Sequence, residues 1–342
     1  MNAYIIASMH ENAGKTSFIV GLAAARKKKY GYLKPFGDRL IYQRKKNWDY
    51  DASLIIKLWG LDCDPDSVTL GFNHAKLRFV HDEESVRRVA SAMVKNASTG
   101  MDGLFIEGGK DIYYGASVFL DSLTLACYTG AEVVVVVSGE PDGIMDDIQF
   151  IHKYFNMSAC SLRGVVINKV QDIKDFNDSF MKDITAMGIP ILGVIPYEEC
   201  LSYYSMRFLA DAFFAKVLSG EAGLGNLVKH VLVGAMSAEA CMRNPVFSQG
   251  NKLIITSGDR DDMIVAALAS DSAGVLLTNN IIPPSNIIAM AGEQGIPLLL
   301  VAHDTFQVAK QIDRLEALIT PEDSEKIAIL ADLVGKSVVE DL

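Results

Sequence analysis

The chain has 342 residues, half of them hydrophobic and 22% charged, which leaves room for two domains with buried cores. A net charge of −10 argues against a general nucleic-acid binder or a ligand of anionic membranes. No apolar run reaches the roughly 18 residues that a spanning helix needs.

The first predicted strand begins at Tyr4, which leaves no space for a signal peptide. Five scattered cysteines without a Cys-x-x-Cys pair read as reduced, mostly buried apolar side chains of a cytoplasmic protein. The six histidines lack metal-ligand spacing, so no zinc site is expected.

That first strand, residues 4–7, runs into the turn Ser8-Met9-His10-Glu11-Asn12-Ala13, then Gly14-Lys15-Thr16-Ser17 and an apolar helix over 18–25. Strand, turn, Gly-Lys-Thr and helix, in that order, form the context of a phosphate-binding loop. Backbone amides from Asn12 to Ser17 and the positive end of the helix would cradle phosphates. Lys15 would neutralise their β and γ oxygens, and the Thr16 hydroxyl would enter a Mg²⁺ shell. The usual Gly-x4-Gly-Lys-[Ser/Thr] spacing asks for glycine where Met9 stands. The competing reading is a strand–helix turn that carries Gly-Lys-Thr by chance.

Lys27 to Lys29 form a basic helix end and Tyr30-Gly31 a stop. A strand at 32–33 leads into Lys34-Pro35-Phe36-Gly37-Asp38-Arg39. Trp48-Asp49-Tyr50-Asp51 precedes a helix over 52–59, for which Asp51 is also a candidate N-cap. A helix with a charged face spans 83–95, and apolar strands follow at 103–106, 132–137, 164–167 and 191–195. Near-continuous apolar strands alternating with helices mark a parallel sheet covered on both faces, with ligands beyond the carboxyl ends of its strands. Gly14-Lys15-Thr16, Lys34, Glu107 and Asn168 all lie just past such ends and converge on one site.

From Tyr204 the pattern changes to a helix and a Gly/Ser/Glu stretch, and new strands are predicted at 230–234, 252–256, 274–278 and 296–301. The expected architecture is a doubly wound, mostly parallel α/β domain over 1–203. A second, smaller α/β domain with a C-terminal helical tail is expected over 204–342. Gly258-Asp259-Arg260-Asp261 precedes a predicted helix over 263–269; Asp259 or Asp261 would cap it, and Arg260 suits an anion or a carboxylate partner.

The ordered set Ser-Met-His-Glu-Asn-Ala-Gly-Lys-Thr, Tyr-Leu-Lys-Pro, Asp-Ala, Ile-Glu-Gly and Ile-Asn-Lys-Val resembles the dethiobiotin synthetase-like branch of P-loop proteins over about residues 1–203. That family's loop is one residue longer, which aligns Ser8 with its glycine. The resemblance implies ATP and Mg²⁺ as cofactors, phosphates on Lys15, and Mg²⁺ held by Thr16, Asp51 and Glu107. It also implies Lys34 at the acceptor and Asn168 on the adenine edge, with Lys15, Lys34 and Glu107 as the catalytic set.

Glu11 and Asp38 depart from the synthetase pattern and would repel its substrate, so dethiobiotin synthesis is not expected. No glutamine-hydrolysing domain is found, which weakens a cobyrinic acid diamide synthase reading. Val233-Gly234-Ala235-Met236-Ser237, Ser257-Gly258-Asp259-Arg260 and Leu277-Thr278-Asn279-Asn280 resemble the DRTGG domain, with two asparagines in place of Gly-Gly.

The pair of domains resembles the N-terminal region of long phosphotransacetylases, without their acyltransferase domain. The resemblance implies a nucleotide-dependent regulator or sensor with ATPase activity; the alternative is an ATP-dependent ligase or phosphotransferase acting on a small carboxylic acid. Expected partners are a nucleotide, a small anion at the Arg260 loop, an acyl-transfer enzyme and further copies of the chain, but neither nucleic acid nor membrane.

Overall fold

The computed structural model describes residues 2–43, 45–155, 160–340 and 342. They form two compact units, Met1–Glu198 with Pro321–Leu342, and Glu199–Thr320.

In the first unit β1 (Asn2–Ser8), α1 (Lys15–Arg26) and β2 (Tyr30–Leu33) precede a hairpin of β3 (Leu40–Gln43) and β4 (Lys46–Asp49). Then come α2 (Tyr50–Trp59), α3 (His74–Val80), α4 (Glu83–Ser98) and β5 (Gly103–Glu107). The first stretch of the unit ends with α5 (Ser122–Thr129), β6 (Glu132–Ser138), α6 (Pro141–Tyr154), β7 (Leu162–Val170), α7 (Ile173–Ser179), α8 (Met181–Ala186) and β8 (Ile191–Pro196). Six strands make one sheet in the order β2-β5-β1-β6-β7-β8, every pair parallel. Its inner strands are buried without interruption, Val133 to Val137 in β6 for instance, because helices cover both faces. The carboxyl ends of β1, β2, β5 and β7 therefore lie along one edge.

Two local readings change. α1 stops at Lys27, whose left-handed backbone (φ 53°) lets its N–H reach the Ala23 carbonyl, and Tyr30 and Gly31 already pair in β2. The N-cap of α2 is Asp49, which accepts from the Ala52 N–H at 3.1 Å; Asp51 lies inside the first turn. The cysteines are less buried than expected: only Cys241 is buried, Cys63 and Cys127 are exposed, and Cys127 Sγ lies 3.4 Å from Cys160 Sγ. The buried side of α5 is taken by Ser122, Leu125 and Ala126, which turns Cys127 outward.

The second unit contains β9 (Tyr204–Ser205), α9 (Met206–Ala212), β10 (Lys216–Ser219), β11 (Leu227–Val228), β12 (His230–Val233) and α10 (Ala238–Met242). It continues with β13 (Lys252–Ser257), α11 (Asp261–Leu268), β14 (Ser272–Thr278), α12 (Ser285–Gln294), β15 (Leu298–Leu300) and α13 (Thr305–Ile312). The sheet order is β10-β15-β14-β13-β12, parallel except for β10. Alternation along β13 feeds two cores: Leu253 and Ile255 join Met206, Leu209 and Leu299, while Ile254 joins Met263, Val275 and Leu277.

α14 (Ser324–Ser337) belongs to the first unit, whereas the sequence places the tail with the second domain. The reason is a tight helix pair. A Cβ on Gly21 of α1 would lie 2.7 Å from Val334 Cγ2 and 2.8 Å from the Leu330 carbonyl oxygen. Past the helix, Val339 N–H donates to the Leu192 carbonyl at 2.9 Å. Among the described residues no helix is long and apolar enough to cross a membrane.

Candidate functional site

β1 delivers Ser8 to the turn, and Gly14 ends it as the N-cap of α1 with φ 97°. Glycine is needed there twice over, for the left-handed backbone and because a Cβ would run into the Asn168 amide. No side chain caps α1, so its first amides stay directed at the loop. From the end of β7, Asn168 Nδ2 donates to the Ala13 carbonyl at 2.9 Å and Lys169 Nζ to that of Asn12 at 2.7 Å. Asn168 thus braces the loop itself.

Lys15 is buried and folded back, its Nζ donating to Ser8 Oγ at 2.8 Å and to the Lys110 carbonyl at 3.2 Å. Burial pulls its pKa below the usual lysine value, with Glu107 acting in the opposite sense. Ser17, in the first turn of α1, is half-buried.

Next to the loop, four buried or nearly buried carboxylates surround Lys34. Its Nζ contacts Asp51 Oδ2 and lies 2.7 Å from Asp38 Oδ1, 3.6 Å from Glu107 Oε1 and 3.7 Å from Asp49 Oδ1. The Asp38 contact is an ion pair whose angles fall outside hydrogen-bond geometry. Glu107 accepts from Thr16 Oγ1 and from the Tyr32 hydroxyl, each at 2.8 Å. Arg39 reaches in from the loop after β2, 3.4 Å from Asp51 Oδ1 and 3.0 Å from Asn12 Oδ1.

Burial pushes Glu107 up to about 7 and Asp49 to about 6, and Lys34 only partly offsets this. On Lys34 burial acts downward, but Asp51, Glu107, Asp49 and Asp38 together raise its pKa well above the usual value. Asp51 is also penalised by burial, yet Lys34 and Arg39 keep it below the usual carboxylate range.

Lys15, Thr16, Lys34 and Glu107, expected to converge on one site, lie together at one sheet edge, and Asp51 joins them there. Asp49, Tyr32 and Arg39 were not predicted, and Asp38 was read only as a repelling charge. For Asp49 a signal existed: it precedes the first helical residue, where a capping aspartate belongs. Tyr32 carried none, because a tyrosine in an apolar strand reads as core. Asp38, Asp49 and Asp51 also hold oxygens within 4.8 Å of one another, a hard-donor group beside the predicted set of Thr16, Asp51 and Glu107.

In the second unit Arg260 is itself the N-cap residue of α11, and neither Asp259 nor Asp261 caps the helix. Its guanidinium donates to the carbonyls of Gly234 (3.2 Å) and Met236 (2.8 Å) and to Asp262 Oδ1 (3.2 Å). It thereby ties the loop after β12 to the start of α11. Asn279 and Asn280 both take left-handed backbones, φ 63° and 53°, a conformation asparagine tolerates better than most residues.

A phosphate acetyltransferase of Nitrosomonas europaea is 23% identical over 370 residues, covering 100% of this chain and 51% of that protein. One from Synechocystis is 25% identical, covering 94% and 48%. The chain spans about half the length of the curated relatives it matches. The CBS and DRTGG domains of the regulatory region of Clostridium perfringens pyrophosphatase, complexed with diadenosine tetraphosphate, are similar over 36% of this chain and 57% of that one, at 18% identity and TM-score 0.28. The DRTGG domain profile matches residues 209–315, and the AAA domain profile AAA_26 matches residues 2–204. With more than half of its length matched, the chain belongs to the AAA_26 family of AAA domains and carries a DRTGG domain, consistent with the N-terminal region of long phosphotransacetylases.

Proposed function

We propose that the first unit binds Mg·ATP on the loop from Asn12 to Ser17 and cleaves the γ-phosphoryl bond, and that the chain acts as a nucleotide-dependent regulator. The observation that carries this is the juxtaposition of buried Lys15 with the Thr16–Glu107–Lys34 constellation. Thr16, Asp51 and Glu107 are the residues that would hold Mg²⁺, and their oxygens are the hard donors it prefers. The fit also rests on charge, since four carboxylates outnumber the single ammonium among them. When bound, the ion clamps phosphate oxygens and offsets their charge.

Lys15 exchanges its contacts to Ser8 and the Lys110 carbonyl for phosphate oxygens. Lys34, held charged by its carboxylates, stabilises charge on the transferring group. Asn168, alongside its bond to Ala13, is proposed to face the adenine. Likeness to phosphate acetyltransferases is what suggests an acyl-transfer enzyme as the target of the regulation; a cytoplasmic location and self-association of the chain are part of the same proposal.

Calorimetry with ATP tests the binding. Lys15→Ala should weaken it by about 1.5–3 kcal/mol, the range for a charged hydrogen bond, and unchanged affinity refutes the assignment. Glu107→Gln should lower Mg²⁺-dependent turnover more than it lowers ATP affinity. Equal turnover in the variant would leave Glu107 a structural role only.

A further inference from the structure

Cys127 and Cys160 stand 33 positions apart in the chain, yet their sulfurs lie 3.4 Å from each other. Short links in the fold bring them there. Cys127 is on the outward side of α5, which ends at Gly130, and the left-handed backbone of that glycine (φ 69°) turns the chain back into β6. At the entry to β6 the Val133 N–H donates to the Ser161 carbonyl at 2.8 Å, which holds the residue after Cys160 beside that turn. Cys127 is exposed, Cys160 is half-buried, and neither is in a disulfide.

The contacts of the pair are ordered. Cys160 Sγ donates to the Leu123 carbonyl at 3.3 Å, which aims it at α5. A thiol carries one proton, so between the two sulfurs Cys127 is the donor and Cys160 the acceptor. A contact of this kind is weak and adds little to the packing. What it supplies is proximity. A disulfide holds its sulfurs about 2.05 Å apart, so closure asks for a movement of about 1.4 Å, which exposed Cys127 makes by a change of rotamer. Cys63, the other exposed cysteine, meets Ser67 instead of a second thiol.

We propose that Cys127 and Cys160 are a reversible modification site, oxidised to a disulfide by low-molecular-weight disulfides. The Cys127 thiolate attacks one sulfur of the small disulfide and breaks its S–S bond. One half leaves as a thiolate and takes up the proton that Cys127 gave up, while the other half stays on Cys127 as a mixed disulfide. The Cys160 thiolate then attacks the Cys127 sulfur, and the second half leaves with the proton of Cys160. Two protein thiols have lost two electrons, and one small disulfide has become two small thiols. Excess small thiol reverses both steps. The new bond ties β6, α6 and the entry to β7 back to the end of α5, which restricts the unfolded chain and stabilises the first unit. In a reducing compartment the dithiol is the resting form, and the staple closes when small disulfides accumulate.

The test equilibrates the full chain with graded mixtures of reduced and oxidised glutathione, blocks the remaining thiols by alkylation and maps the cysteines by peptide mass spectrometry. The Cys127–Cys160 disulfide should be half-formed at a level of oxidised glutathione at least about tenfold below the one that puts glutathione on half of Cys63, because its second step is intramolecular. Cys160→Ser should trap glutathione on Cys127, whereas Cys127→Ser should leave Cys160 carrying less of it. Oxidation of the wild type should raise the Tm of the first unit by about 5–10 °C, and dithiothreitol should reverse the rise. Both serine variants should lack it, and Cys160→Ala replaces Cys160→Ser if the latter does not fold. Glutathione that stays on Cys127 in the wild type overturns the inference. So does a disulfide that needs as much oxidised glutathione as Cys63, or one that forms without moving the Tm. ATP binding enters none of these readouts, so the outcome is separate from that of the function proposed above.

Discussion

His10, an exposed residue of the loop, places its Nε2 2.9 Å from Oδ1 of Asp147, a buried residue of α6. Burial holds the Asp147 carboxyl above its ordinary value of 3.8, with His10 pulling the other way. For an acid whose folded pKa is raised, the folded chain binds more protons than the unfolded one between the two values. Stability is therefore lost as pH rises from 3.8 to the raised value, and the loss is constant above it. Asp147→Asn cannot ionise and should lack that decline. Urea denaturation of both proteins across acid to neutral pH should show the wild type falling relative to the variant, and parallel curves would refute the assignment. At the same scale, the site depends on residues of opposite visibility. Lys15 and Thr16 sit in a motif, while Tyr32 acts through a hydroxyl at the end of an otherwise apolar strand.

Elements decide how those residues are held. Asp49 accepts from the N–H groups of Ala52, Asp38 and Arg39 at 3.1, 3.1 and 3.2 Å, so one buried carboxylate starts α2 and closes the loop that carries Asp38. The α1–α14 pair depends on the missing side chain at Gly21. Gly21→Val should overpack that seam and cost about 1–3 kcal/mol. Since α1 starts at the phosphate loop, the variant should also bind ATP less tightly. A Tm equal to that of the wild type would show that α14 packs there too loosely to matter.

For the molecule as a whole, the division into two units predicts that damage to one stays local. Arg260→Ala removes two carbonyl contacts and a half-exposed ion pair, and should destabilise the second unit by about 1–2 kcal/mol. ATP binding by the first unit should be unchanged. If the variant is as stable as the wild type and instead loses a response to acetyl phosphate, Arg260 is an anion-sensing residue.

The sequence by itself determined the parallel sheet, the phosphate loop and the order of the site residues, because apolar strand runs and Gly-Lys-Thr are local signals read within a few residues. It also placed Lys34, Asp51 and Glu107 at strand or helix ends, since the edge of a parallel sheet is defined by where its strands stop. Only the tertiary structure decided that Asp38 and Asp49 close around Lys34, because 15 and fewer residues of chain say nothing about which loop folds over which strand end. It alone assigned α14 to the first unit, through a groove at Gly21 that is distant in sequence from Val334. The Arg260 loop went the same way. Its Asp and Arg residues offer several caps and pairs, and the carbonyls of Gly234 and Met236, brought near by the parallel pairing of β12 and β13, determined which of them the guanidinium takes.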